Sequence, residues 1–293
     1  MTARTSQGTL GPFVENWKPG ETCKEDTLPC ERARQLAATL DIREVLKIGD
    51  PLPPLWQWIY FGEWLPTAEL GADGHPRDGH YLPPIPHRRR MFAGGRLTMN
   101  APLFLGRPTE RRSTVQSVAA KKGSAGELLF ITLRHEYRQE DVVCAAEEQD
   151  LVYRSAEAGS VAAPSRRTDM VPLNTSAPWS AKPIINPPLL FRFSALTANA
   201  HRIHYDSDYA TGTEGFPALV VHGPLLALYM AELLRANVNG RILRSFEFRL
   251  RKPVFVDEQI CVEGTPAGDT VELAVVGGGG VRATAKGLLG CAD

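Results

Sequence analysis

Four strand-forming runs, Gly95 to Phe104, Ser113 to Ala119, Leu128 to Arg138 and Asp141 to Tyr153, follow one another with only turn signals such as Lys122-Gly123 and Gln139-Glu140 between them. That spacing predicts an antiparallel meander, whose apolar face must be covered by another element. The cover precedes it: Ala33, Leu36, Ala37 and Leu40 recur at helical spacing between Glu31 and Leu40. After a break the order returns. A strand at Leu189 to Ala195 leads through a polar loop to a long apolar helix from about Gly223 to Leu234. Strands then follow near Arg244 to Pro253, Glu258 to Pro266, Val271 to Val276 and Val281 to Leu289. The segments LTMNAPLFLG from Leu97 and FRLRKPVFVD from Phe248 share a strand-Pro-apolar-turn outline, which suggests an internal duplication. The expectation is an α+β architecture used twice, each half a curved antiparallel sheet wrapped around one central helix.

Boundaries follow from composition. Residues 1–25, rich in Thr, Gly and Pro, predict an arm laid over the fold; 26–155 and 183–293 are the two halves; and 156–182, rich in Ala, Ser, Pro, Arg and Thr, is a linker. Trp56, Trp58, Tyr60, Phe61 and Trp64 form an aromatic cluster expected in a short buried helix, and the Gly-, Pro-, Asp- and His-rich stretch from Gly71 to Pro86 reads as a surface loop. Lys plus Arg number 33 and Asp plus Glu number 33, so no long-range field gathers a polyanion and nucleic acid is not an expected partner. Five scattered cysteines form neither a paired framework nor a zinc spacing, which predicts reduced thiols in a cytoplasm. No apolar run approaches the roughly 20 residues that span a bilayer, so no membrane partner is expected.

The chemistry concentrates in Phe193 to Ala210, FSALTANAHRIHYDSDYA, and in Leu219 to Leu226, LVVHGPLL. Asn199, His201, His204, Tyr205, Asp206 and Asp208 crowd one loop. His222-Gly223-Pro224 stands where the apolar helix is expected to begin, with Pro just inside it. A helix start offers unpaired N–H groups and a positive dipole end, suited to an oxygen that becomes negative during reaction.

These two segments resemble the hydratase 2 motif of the MaoC-like hotdog enzymes, in which a loop of the form Asp-x-Asn-Pro-x-His-x-Asp is followed by an Ile/Val-Val/Ala-His-Gly helix start. Asn199 to Asp206 and Val220 to Gly223 occupy those places here. The first half, with HRRRMFAGGRL and its Trp-rich stretch, is similar to the degenerate, non-catalytic hotdog of mesaconyl- and itaconyl-CoA hydratases and of type 2 hydroxyacyl-thioester dehydratases. The resemblance implies a double hotdog fold, working as a homodimer, and reversible hydration of an enoyl-CoA. The family's acid is Asn199 in this chain, and an amide cannot take a proton. His204 is then the expected sole base, with Asn199 orienting water or substrate, and His201, Tyr205 and Asp206 supporting the loop. The Gly223 N–H is expected to receive the enolate oxygen, a contribution of about 3 kcal/mol, with His222 beside it. Glycine there would leave room for the thioester.

Basic residues are the expected partners of coenzyme A phosphates or of a distal substrate carboxylate: Arg88, Arg89 and Arg90, then Arg202, then Arg249 and Arg251. A second half without chemistry can enlarge the pocket, which favours a branched or dicarboxylic short acyl group of the itaconyl- or mesaconyl-CoA type. Acyl-CoA enters as substrate, and neither a cofactor nor a metal is expected, although His201, His204, Asp206 and His222 could also be read as ligands. Three rivals stand beside this function: a 3-hydroxyacyl-thioester dehydratase of fatty-acid metabolism, a hotdog thioesterase and a non-catalytic acyl-CoA-binding module.

Overall fold

The computed structural model describes residues 10–85, 88–123, 126–155, 175–238 and 240–291. The first half runs α1 (Gly11–Val14), β1 (Thr22–Asp26), α2 (Cys30–Thr39), β2 (Arg88–Met99), β3 (Thr109–Gly123), β4 (Gly126–Gln139) and β5 (Val142–Ser155). The second runs β6 (Trp179–Ala181), α3 (Pro187–Leu196), α4 (Gly223–Asn237), β7 (Ile242–Leu250), β8 (Ile260–Ala267), β9 (Thr270–Gly277) and β10 (Gly280–Gly290). All pairings between these strands are antiparallel, in one ten-stranded sheet ordered β1-β3-β4-β5-β2-β7-β10-β9-β8-β6. Outward from the β2–β7 junction, β2, β5, β4, β3, β1 on one side answer β7, β10, β9, β8, β6 on the other. One topology is used twice and joined edge to edge, an α+β double hotdog.

Three expectations need correction. The strand expected at Leu189 to Ala195 is helix α3: Asn186 caps it, its side chain accepting from Leu189 N at 3.0 Å, and Pro187 and Pro188 fill the first turn. A short apolar run fits either element, and the Asn-Pro-Pro start decides. β1 falls within the arm and β6 within the linker, yet each is an outer strand of its half. Five residues, TCKED, and three, WSA, carry too little alternation to announce a strand. Residues 1–9 of the arm and 156–174 of the linker lie outside the described residues, as does His87. Ahead of β1, Leu10, Val14 and Trp17 pack on Leu129, Ile131, Leu151 and Tyr153.

The two central helices differ in role. Leu225, Leu226, Ala227, Leu228, Met230, Ala231, Leu233 and Leu234 of α4 are buried, and the helix packs on all five strands of its half and on β2. Each such Leu or Met contributes about 1.5–3 kcal/mol by leaving water. The shorter α2 packs instead on α3 and on the 3-10 helix Trp56–Ile59. The aromatic cluster is core, as expected, except that Trp64 is exposed. Trp56 Nε1 donates to Glu232 of α4 at 2.8 Å, and Trp58 packs edge-on against Phe92 and Phe248 from the two junction strands. At that junction a side chain on Gly94 or Gly95 would collide with the carbonyl of Phe248 or of Glu148, so the strands meet only because both positions lack one. Among the described residues no helix is long and apolar enough to cross a membrane.

Candidate active site

Where α3 ends, Ala198 takes a left-handed turn (φ 51°) and the chain enters the polar loop. The Asn199 side chain accepts the His201 N–H at 3.1 Å, and one 3-10 turn, Arg202–His204, follows. Asp206 receives Arg202 Nε and Nη2 at 2.9 and 2.7 Å and the Tyr209 N–H at 3.0 Å, so Asp206 and Arg202 brace the loop. Tyr205 closes it further by donating to Ala200 O at 2.8 Å.

The segment leading into α4 pairs with this turn. Val220 N donates to Ile203 O at 2.9 Å, and Val220 O lies 2.7 Å from Nδ1 of His204. A carbonyl only accepts, so His204 carries its proton on Nδ1 and presents Nε2 as a lone pair. Its ring lies on that of His222, 3.7 Å between centroids and 19° between planes, and stands edge-on to His201 at 5.6 Å. His222 is the residue before α4, so its backbone leads directly into Gly223 at the helix start, where the first N–H groups have no intrahelical acceptor. His222 thus stacks on His204 and leads directly into the helix start. His222 Nε2 is 2.8 Å from the hydroxyl of Ser194, and its Nδ1 is buried without a hydrogen-bond partner among the described residues.

The environment keeps these rings neutral. Burial pushes the His204 imidazole down to about 4 against the opposing hydrogen bond from Val220, and burial with the neighbouring His204 and His201 holds His222 well below its usual range. Burial, with His75 and His204 nearby, likewise lowers His201.

His75 belongs to the first half, in the stretch read as a surface loop. That reading needs correction, because the loop docks on the polar loop of the second half. Arg202 N donates to Asp73 O at 2.8 Å and Arg202 Nη1 to Ala72 O at 2.9 Å. Gly74 is buried, with φ +87°, and a side chain there would collide with the carbonyl of Ala200. His75 Nδ1 lies 3.0 Å from Asp73 Oδ2, and its ring faces that of His201 at 4.0 Å. Burial pushes the Asp73 carboxyl up, but its hydrogen bonds and charge interactions with His75 outweigh this and hold it at about 2; burial and Arg90 lower His75. Asp73, His75 and His201 are the group among the described residues whose donor atoms, all within 4.8 Å of one another, come close enough to share a metal ion. The set His201, His204, Asp206 and His222 does not converge in this way.

The arginines separate clearly. Arg202 is held by Asp206, Arg89 by Glu214 at 3.6 Å, Arg88 by the Arg77 carbonyl, and Arg249 by Glu247 at 3.2 Å. Arg251 lies beyond the end of β7 and reaches Thr284 Oγ1 at 3.4 Å. Arg88 to Arg90 stand on β2. Arg90 is exposed, has no carboxylate partner among the described residues, and its charge is felt by His75, His201 and His204 alike. At Gly223 the space a side chain would take is occupied by the end of the Leu250 side chain, so the helix start is packed close on β7. Sequence reasoning missed Asp73, His75 and Ser194. The only signal for the first two was an Asp-Gly-His triplet inside a loop crowded with the same residue types.

The fold and site together define a double-hotdog protein whose histidine-lined site lies in the second half and is closed by a loop of the first. The chain belongs to the family of hydroxyacyl-thioester dehydratases of type 2, whose profile matches residues 55–256. A mesaconyl-C(4)-CoA hydratase of Chloroflexus aurantiacus is 41% identical over 260 residues, 88% of this chain and 91% of that protein. A solved MaoC-like dehydratase of Phytophthora capsici superposes with a TM-score of 0.64 at 13% identity, over 95% of this chain and 98% of its own. A Mycobacterium tuberculosis protein described as a double hotdog gives 0.59 at 14%, over 96% and 99%. At such identities these two structures speak for the fold alone.

Proposed function

We propose that the chain is a hydro-lyase that reversibly adds water to a short enoyl-CoA thioester with a branched or dicarboxylic acyl group, of the mesaconyl- or itaconyl-CoA type. The observation that carries this is the His204 imidazole, neutral and with its Nε2 lone pair available, beside the helix start at Gly223. The 41% identity to a mesaconyl-C(4)-CoA hydratase supports the same reaction and the dicarboxylic acyl group.

The steps follow from those atoms. His204 Nε2 takes a proton from water as the water oxygen bonds to Cβ. The C=C electrons move toward the thioester, and the charge on its oxygen is received by the Gly223 N–H. The imidazolium then gives its proton to Cα, so that one water has been added and His204 is restored. Run backwards, the same steps dehydrate a 3-hydroxyacyl thioester, the direction the family name favours. Asn199 has its oxygen committed to His201, which leaves its amide N–H₂ to orient the water. Arg90 receives the distal carboxylate, and Arg88, Arg89, Arg249 and Arg251 are the candidates for coenzyme A. The reaction as written needs no further cofactor. A homodimer in a reducing cytoplasm completes the proposal, and the unpaired thiols of Cys23 and Cys291 at the surface fit such a compartment.

The test is the absorbance of the conjugated thioester, followed with mesaconyl-, itaconyl- and crotonyl-CoA. Loss of the band without free thiol supports the hydro-lyase. Release of thiol identifies a thioesterase, and tight binding with no turnover identifies a binding module.

A further inference from the structure

We infer that the first half takes part in the chemistry: Asp73 and His75, carried by its long loop, are positioning residues for His201 and His204, the pair through which the chain replaces the acid absent at Asn199. This rests on the hydro-lyase reading and names what the non-catalytic half supplies to it.

When His204 takes a proton, positive charge appears in a cluster of four buried or half-buried imidazoles: His75, His201, His204 and His222. Asn199 cannot balance it, and Asp206 is spent on Arg202. Asp73 is the carboxylate that hydrogen-bonds within that cluster among the described residues. Its two oxygens are both committed to His75, Oδ1 to the backbone N–H and Oδ2 to Nδ1, each at 3.0 Å. With Nδ1–H donating to Asp73, His75 is fixed in tautomer and orientation, and its ring covers one side of His201 while the edge of His201 meets His204. The loop is not placed casually. Two hydrogen bonds from Arg202 hold the carbonyls of Ala72 and Asp73, and only glycine fits at position 74 against Ala200. The charged groups facing the His75 and His201 pair are Asp73, which favours their protonated forms, Arg90, which opposes them both, and Arg88, which opposes His75.

The experiment uses the full-length protein with Asp73→Asn, His75→Gln and the double variant, measuring kcat, KM, the pH profile of kcat/KM and thermal stability. Asparagine keeps the acceptor for the His75 N–H but sets an N–H₂ against Nδ1, so the imidazole must take the other tautomer. The expected result is a fall in kcat of about tenfold or more, KM within about threefold, and, for His75→Gln, an acid limb moved to higher pH because His75 is one of the groups that hold the His204 imidazole low. The double variant should be no worse than the poorer single one, as for residues that act as a unit. An active wild type with unaltered variants overturns the inference, as does a loss of rate that tracks thermal stability with the acid limb unmoved. Activity that disappears on chelation and returns with zinc also overturns it, because Asp73, His75 and His201 would then be ligands. A wild type inert toward every enoyl-CoA sinks the hydro-lyase reading and this inference with it.

Discussion

The imidazole of His204 lies flat on that of His222, 3.7 Å apart, and the two rings are held by different partners: His204 by a backbone carbonyl, His222 by the hydroxyl of Ser194. The carbonyl fixes a proton on Nδ1 of His204 and frees Nε2; the hydroxyl engages Nε2 of His222 and leaves its other nitrogen sealed in the core. In the proposed mechanism only the first ring serves as the base. His222→Phe, which keeps a flat ring, should retain hydration within about tenfold of wild type, well short of the 10²- to 10⁴-fold typical of a lost general base. A larger loss in steady-state turnover, with the fold intact, would make His222 the proton acceptor.

The pH dependence follows from burial. Because His204 must be neutral to act and its folded value is about 4, kcat/KM should be flat through neutrality and fall only as pH drops toward 4. Stability behaves in parallel. The folded value is depressed below the ordinary value of about 6.5, so the unfolded chain binds more protons between those limits. The contribution of His204, on the order of 3 kcal/mol, is present above about pH 6.5 and lost as pH falls toward 4. Thermal midpoints measured from pH 7.5 to 4 check this; a midpoint that held steady across that range would contradict it.

Arg90 gives the substrate preference its test. Arg90→Met should raise KM for a carboxylated enoyl-CoA by about tenfold or more, the share expected for one charge-assisted hydrogen bond, and leave KM for crotonyl-CoA within about twofold. Equal losses on both substrates would assign Arg90 to coenzyme A instead.

The docking of the first-half loop predicts a stability effect from a single glycine. Gly74→Ala introduces a Cβ where the Ala200 carbonyl stands, at a left-handed φ of +87°, and should cost about 1–3 kcal/mol and lower turnover with it. Denaturant unfolding against wild type measures the first, and an unchanged midpoint would mean the loop is free to lift away.

Much of this was legible in the residues. The strands of both meanders, the helix from Gly223 and the contact of His204 with His222 follow from alternation, helix-start chemistry and a family motif. What was not legible has physical causes. Leu189 to Ala195 is apolar enough for strand or helix, and Asn186-Pro187-Pro188, just upstream, carried the decision. β1 and β6 are strands because the sheet edge offers them partners, which local pattern does not record. Asp73 and His75 looked like loop residues because they are; their role comes from a contact across more than a hundred residues, with Arg202 and His201, that no local periodicity encodes.

The central claim is that Nε2 of His204 moves the proton, and His204→Gln tests it most directly when turnover and acyl-CoA affinity are measured on the same preparation. Hydration should fall by about 10²- to 10⁴-fold while the dissociation constant for the thioester stays within about threefold. Turnover close to wild type in that variant would contradict it.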